Sequence, residues 1–188
     1  MSDRVKCHTC DNLILPATAE LNDGLCGQCN IRAKSASQSP PERKFSGKYD
    51  DADWHYGGNF PSDLPNSAGA NHIGMFVASC ILEGMVGELH VEDFPESLEQ
   101  LRNRELPPGA WLIKACDEKF TEEELNDEGN AFALEYYYAD GAQYLTDYEQ
   151  TLCRKLPTAY HVPDTWDSFK KIDKVIRKRL KQWRKERR

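Results

Sequence analysis

The chain has 188 residues, of which 39% are hydrophobic and 10% aromatic, enough for one packed domain and a small additional module. It contains no run of about 18 apolar residues, which argues against a membrane-spanning helix. Its first residues also lack the charged-then-apolar pattern of a secretory signal, so we expect a cytoplasmic protein.

The net charge of −7 is unevenly distributed along the chain. Residues 164–188 hold eleven Lys and Arg against four Asp and Glu, a net charge of +7. Residues 1–163 hold thirteen against twenty-seven, a net charge of −14. An acidic body of this kind repels nucleic-acid phosphates and attracts a basic protein.

Two cysteine pairs lie near the amino terminus, in the pattern C-x2-C-x15-C-x2-C. Each pair directs two sulfurs at one centre, and together they form the tetrahedral four-thiolate shell of a structural zinc site. A segment of about 30 residues has too small a core to fold without such a link. We therefore predict one structural Zn²⁺ in a small zinc-ribbon or knuckle module over residues 1–32. Its ligands are Cys7, Cys10, Cys26 and Cys29.

The residues around the cysteine pairs argue against other roles for the module. Four thiolates leave no coordination position for a substrate, and we expect His8, between two ligands, to be a solvent-exposed neighbour. The module carries few cations and no basic stripe, which disfavours nucleic-acid binding through it. The Ser-, Pro- and charge-rich residues 33–48 that follow are typical of a flexible linker.

The body, residues 49–163, opens with the acidic and aromatic stretch YDDADWHYGGNFP (Tyr49–Pro61). Three interpretations are open: rings that hold a loop to the core, a surface for a partner, or a metal-dependent or acid–base catalytic site that also uses His72. The stretch lacks a recognised metal-ligand spacing, a phosphate loop and a calcium-loop pattern, which weakens the catalytic interpretation.

Helical patterns dominate the rest of the body. Residues 69–89 are apolar nearly all round, which predicts a central buried helix whose glycines allow close approach of a neighbouring backbone. Residues 95–106 predict a short amphipathic helix that starts at a proline. Trp111–Ala115 fits either a helix entered through Pro108 or a short strand.

A second acidic segment follows at residues 117–138. Thr121 and Glu124 form a capping box, and acidic residues fill the first turn after it. Residues 144–156 then predict another helix that ends before Pro157.

The carboxy-terminal residues 164–188 predict one long basic amphipathic helix, with Asp164 as its cap. Its apolar positions recur at spacings of three and four residues from Trp166 to Trp183. We interpret this stripe as packed on the body, with a solvated cationic face. The fold class is therefore mainly α, or α+β if Trp111–Ala115 is a strand.

The run YDDADWHYGGNFPSDLPNSAGANHIGMF, with LNDEGNAFALEYY further on, resembles an uncharacterised bacterial domain over about residues 49–156. The four-cysteine module is similar to modules appended to immunity and other accessory proteins of polymorphic-toxin systems. The resemblance implies a small acidic cytosolic protein that binds and blocks a toxin, and it implies no catalytic residue.

Together these observations predict a protein-binding protein rather than an enzyme, plausible as an immunity protein that occludes a basic toxin domain. Two alternatives stay open: a metal-dependent hydrolase that uses the Asp50–His55 cluster, and a regulator that binds nucleic acid through the basic helix. The candidate partner-binding residues are Asp50, Asp51, Asp53, Trp54, His55, Tyr56, Asp63, Glu118, Asp127 and Glu128.

Overall fold

The structure is a computed structural model that describes residues 4–14, 16–26, 29, 45–56 and 60–187. The chain divides into two compact units, residues 1–44 and residues 45–188. Most of the predicted linker, residues 33–44, lies outside the described residues. Its last part belongs to the second unit, because Phe45 packs against that unit's core and Lys48 begins a strand.

The first unit contains a small antiparallel hairpin followed by a short helix. Strand β1 (Val5–Lys6) pairs with β2 (Leu13–Ile14), and helix α1 spans Pro16–Leu21. The turn between the strands is closed by the backbone N–H of Cys7, which donates to the carbonyl of Asn12 at 2.9 Å. The hairpin thus places Cys7 and Cys10 on one tight turn.

The second unit is mainly helical, as the sequence predicts, with one two-stranded sheet. Strand β3 (Lys48–Asp51) pairs antiparallel with β4 (Lys119–Thr121), with an irregularity between Lys48 and Asp50. Its α-helices are α2 (Asn71–Leu82), α3 (Glu88–Glu92), α4 (Pro95–Arg102), α5 (Pro108–Cys116), α6 (Asp127–Ala133), α7 (Tyr144–Leu152) and α8 (Trp166–Glu186). Single 3₁₀ turns span Ala52–His55, Asn66–Ala70, Glu122–Glu124 and Ala159–His161.

Helix α2 is the centre of the second unit, which confirms the predicted buried helix, although it ends at Leu82 and residues 83–87 lie outside it. Every residue from Asn71 to Ile81 is buried. Helix α5 crosses α2 at Gly74, where an added Cβ would overlap the carbonyl of Pro108 and lie 2.8 Å from the Cα of Gly109. The glycine that weakens the helix is therefore the residue that allows the two backbones to touch.

Trp111–Ala115 lies within α5 and is helical, so the strand alternative is wrong. Pro107 is extended and Pro108 occupies the first turn, where its missing N–H costs nothing. The N–H groups of Gly109 and Ala110 at the start of the helix donate to the carboxylate of Asp164, at 2.9 and 2.8 Å. Asp164 therefore caps α5 and not α8, and the prediction of its role was wrong.

Helix α8 begins after Thr165, whose hydroxyl accepts a hydrogen bond from the N–H of Ser168 at 3.1 Å. Its inner face is the predicted apolar stripe, with Phe169, Ile172, Ile176 and Leu180 buried. No helix in the described part of the chain is both long and apolar enough to cross a membrane.

The capping box of Thr121 and Glu124 is confirmed, but it encloses a 3₁₀ turn rather than the start of a long helix. Helix α6 begins afterwards with its own cap, Asn126, which accepts from the N–H of Gly129 at 3.0 Å. The chain then widens into a π-helical turn at Leu134–Tyr138, which directs the side chains of Tyr136 and Tyr137 into the core.

Candidate functional site

The four cysteines of the first unit converge, as their spacing predicts. Their sulfur atoms all lie within 4.8 Å of one another, and the Sγ atoms of Cys10 and Cys26 are 3.7 Å apart. Sulfurs bound to one tetrahedral zinc at about 2.3 Å lie about 3.8 Å from each other. The four thiols therefore lie at metal-binding distance, in an arrangement compatible with zinc.

The electrostatics of these thiols also favour a cation. Backbone hydrogen bonds, chiefly from Thr9, lower the pKa of Cys7 to about 6, so this thiol ionises readily. Hydrogen bonds with Cys26 and Cys10 raise the pKa of Cys29 to about 12. A thiolate disfavours the ionisation of an adjacent thiol, because the two negative charges repel each other. A divalent ion at the centre of the four sulfurs offsets this repulsion.

The acidic opening of the second unit divides into buried and exposed residues. Asp50 and Asp51 are buried in β3, and Asp51 caps the following 3₁₀ turn while it forms an ion pair with Lys48 at 2.7 Å. Asp53 is exposed, and Trp54 is 60% exposed with the Lys48 ammonium 5.2 Å from its ring centre. Among the described residues of this stretch, Asp53 and Trp54 are thus available to a partner, and Asp50 and Asp51 are not.

The remaining predicted partner residues lie in different places. Tyr56 donates a hydrogen bond to Glu118 at 2.7 Å, and both are half-buried. Asp63 is exposed and 3.3 Å from the Nε2 atom of His161. The ten predicted residues therefore do not form one surface.

Asp50 is the centre of a buried polar cluster with two histidines, which we call the Asp50 cluster. The Nε2 atom of His55 lies 3.0 Å from one carboxylate oxygen of Asp50, and the Nε2 atom of His72 lies 3.5 Å from the other. The hydroxyl of Tyr137 donates to the second oxygen at 2.5 Å. The Nδ1 atom of His55 lies 2.9 Å from the hydroxyl of Tyr160.

These contacts keep Asp50 ionised despite its burial. Burial alone raises the pKa of a carboxyl group, but the hydrogen bonds from His55 and Tyr137 and the nearby His72 ring outweigh it and hold the pKa of Asp50 well below its usual range. The sequence indicated the acid and both histidines. It did not indicate Tyr137 or Tyr160, which follow Asp50 by 87 and 110 positions along the chain.

A third group of possible metal ligands includes His90 of α3 and two residues packed near it. His90, Cys116 and Glu124 are all buried, with the His90 Nε2 atom 3.9 Å from the Cys116 sulfur. Burial lowers the pKa of His90 and raises the pKa of Cys116, so both are neutral near pH 7. Glu124 already accepts from the N–H and hydroxyl of Thr121.

A groove of about 810 Å³ lies between α3 and the start of α6 in the second unit, and we call it the acidic groove. Each charged side chain that lines it is acidic, and each of these is exposed. They are Glu88, Glu92, Asp93, Glu122, Glu123, Asp127 and Glu128. Asp127 and Glu128 are among the predicted partner residues.

Long-range backbone pairing joins the two walls of the groove. Val86 forms an isolated antiparallel bridge with Leu125, and the N–H of Gly87 donates to the carbonyl of Glu124 at 3.0 Å. A Cβ at Gly87 would overlap the carbonyl of Glu123, so only glycine allows this approach. The sequence indicated that a backbone approaches the glycines of residues 69–89, but it did not indicate that Glu123 and Glu124 approach Gly87.

Exposed apolar side chains adjoin the acidic groove. Val91 is 52% and Phe94 46% exposed. Phe94 lines a second concavity of about 400 Å³, which shares Glu92 and Asp93 with the groove. Apolar anchors beside carboxylates are typical of a surface that binds a cationic protein.

Comparison with known proteins identifies the second unit. Residues 48–162 match the family DUF7832, a domain of unknown function. The match covers more than half of the chain, which therefore belongs to this family. Searches of curated proteins and of solved structures found no match.

Proposed function

We propose that this member of the DUF7832 family is a stoichiometric protein-binding protein whose acidic groove receives a basic protein. The single observation that supports this most is the lining of the groove: seven exposed carboxylates and no cation. Of the seven, only Glu128 takes part in an ion pair among the described residues, with Arg184 at 2.7 Å.

Repulsion among these carboxylates opposes the favourable interaction that Glu88, Asp127 and Glu128 have with the first turns of their helices. Two unit charges 4 Å apart in water repel by about 1 kcal/mol, and the repulsion is weaker at larger separations. A lysine- or arginine-rich partner removes this repulsion and is attracted over the screening length of about 8–10 Å. The charge thus favours a cationic occupant.

We propose that the protein acts in the cytoplasm as an immunity protein that neutralises a toxin. Toxins that act on nucleic acids carry basic clefts, and an acidic protein that occupies such a cleft excludes the substrate. In this proposal the first unit binds one structural Zn²⁺ through its four cysteines and has no catalytic role.

The test compares two variants with the same change in charge. The groove variant carries Glu88→Gln, Glu92→Gln and Asp93→Asn. The control variant neutralises three exposed carboxylates outside the groove. Its substitutions are Glu105→Gln, Asp140→Asn and Glu149→Gln.

The full chain is used to capture partners from a lysate of its source cells, and the toxin-like product of any adjacent gene is co-expressed with it. We expect the wild-type and control proteins to retain one basic protein in equimolar amount and to rescue growth. The groove variant should do neither. Equal capture and rescue by all three proteins would refute the groove as the binding surface.

A further inference from the structure

The Asp50 cluster points to a metal site that is separate from the four cysteines. We propose that Asp50, His55 and His72 bind a divalent transition-metal ion, with Zn²⁺ as the expected occupant. Two histidines and one carboxylate form a ligand set that suits Zn²⁺, Fe²⁺ and Mn²⁺. The three ligand atoms lie within 4.8 Å of one another.

The distances within the cluster are close to those between ligands of one metal ion. Ligands at about 2.0–2.1 Å from a metal, at angles of 90–109°, lie about 2.9–3.4 Å from each other. The two nitrogen–oxygen distances to Asp50 are 3.0 and 3.5 Å, one to each carboxylate oxygen. The His55 and His72 rings are nearly perpendicular, with centres 4.7 Å apart, and the Nε2 atom of each lies beside the Asp50 carboxylate.

Hydrogen bonding within the cluster does not account for the Nε2 atom of His72. His72 is 4% exposed, and its Nε2 atom has no hydrogen-bond partner although it faces the carboxylate. A buried polar atom without a partner is costly, and native proteins rarely retain one. A metal ion between His72 and Asp50 supplies that partner.

Neighbouring residues already hold the ligands in position. The Tyr160 hydroxyl contacts the second ring nitrogen of His55, which fixes the ring orientation, as partners of metal-bound histidines do. Asp50 receives hydrogen bonds from Tyr137 at 2.5 Å and from the N–H of Asp51 at 2.8 Å. The His55 side chain is 20% exposed, so an ion can reach the cluster from solvent.

Three protein ligands leave at least one coordination position for water. The Asp50 cluster would therefore be a metal site with a free coordination position, unlike the closed shell of four cysteines. It also joins three separate elements, because Asp50 lies in β3, His55 ends the following 3₁₀ turn and His72 lies in the first turn of α2.

The first experiment counts metal in the full chain after removal of all metal by a chelator and reloading with Zn²⁺. The wild-type protein should retain two ions per chain, one at the cysteines and one at Asp50. His55→Ala should retain one. His161→Ala, which removes a histidine beside a different aspartate, should retain two. A wild-type chain that holds one ion, or a His55→Ala chain that still holds two, would overturn the proposal.

The second experiment needs no substitution and so does not depend on the folding of a variant. Co²⁺ is titrated into the metal-free full chain until every site is saturated, and the histidine ring signals are followed by NMR. The signals of His55 and His72 should shift or broaden strongly, and those of His90 and His161 much less. Unchanged His55 and His72 signals at saturating Co²⁺ would overturn the assignment. Preferential loss of the His90 signal would place the metal at the Cys116 group instead.

Discussion

Asp147→Asn should loosen the attachment of the basic helix α8 to the body. The carboxylate of Asp147 is 7% exposed and accepts two hydrogen bonds from Arg179, at 2.7 and 2.9 Å. It also accepts from Tyr136 at 2.9 Å and from Gln143 at 3.2 Å. Asparagine keeps the volume but turns an N–H₂ group toward one of these donors.

The expected loss is about 2 kcal/mol. Hydrogen bonds to charged groups contribute about 1.5–3 kcal/mol to the free energy of unfolding. This contribution is smaller when one partner of the ion pair is in contact with water. Arg179 is 39% exposed, which places the estimate in the lower half of the range. With a urea m-value of about 2 kcal/mol/M, the unfolding midpoint falls by about 1 M.

Tryptophan fluorescence during urea unfolding measures this loss in the second unit alone, because all four tryptophans lie within residues 45–188. The control is Asp167→Asn, which removes an exposed ion pair with Lys170 on the same helix, and its cost should stay below about 0.5 kcal/mol. If Asp147→Asn costs no more than Asp167→Asn, the docking of α8 through this carboxylate is refuted.

The pH dependence provides a second measurement of the same carboxylate. Burial tends to raise the pKa of Asp147, but hydrogen bonds from Arg179 and Tyr136 outweigh it and hold the pKa below the usual range. Ionised Asp147 therefore stabilises the fold above its unfolded pKa of about 3.9, and this contribution is lost as the pH falls through the folded pKa. The difference in stability between wild type and Asp147→Asn should be full at pH 6–7 and should narrow below about pH 4.

Three further predictions concern close packing, the cysteines and the groove. Gly74→Ala should destabilise the second unit by about 2–3 kcal/mol in the same urea assay, because its Cβ would meet backbone and no flexible side chain. Cys26→Ser should lose one zinc ion per chain by elemental analysis, and His8→Ala should lose none. The groove variant should be more stable than wild type by about 0.5–1 kcal/mol at 10 mM salt, with the gain nearly abolished at 0.5 M, whereas an equal gain in the control variant would refute local repulsion.

Local features were predictable from the sequence because their causes are local. The cysteine spacing places four sulfurs together through two tight turns, and the Thr121–Glu124 capping box needs only four consecutive residues. The burial of α2 follows from apolar residues on every face. In each case the pattern contains both the group and its partner.

Asp164 and Asp50 show where such reasoning fails. Asp164 precedes a long helix, so a local cap was predicted, yet its carboxylate contacts the start of α5, 54 and 55 residues earlier. Asp50 looked like part of an acidic surface, yet it is buried because Tyr137 and His72 surround it from distant elements. The acidic groove was missed for the same reason, since the pairing of Val86 with Leu125 that joins its walls spans 39 positions.

The basic helix α8 determines where the acidic charge of the body stays available. Its arginines contact Glu83, Glu128, Glu135 and Asp147, which neutralises carboxylates on the faces that α8 reaches. The groove carboxylates other than Glu128 have no such partner among the described residues. Four of the eleven cations of residues 164–188 are thus paired with carboxylates of the body, and the carboxylates that α8 leaves unpaired include those of the groove other than Glu128. No residue of the groove is a ligand in the Asp50 cluster, so loss of metal at His55→Ala and loss of a partner in the groove variant can be observed independently.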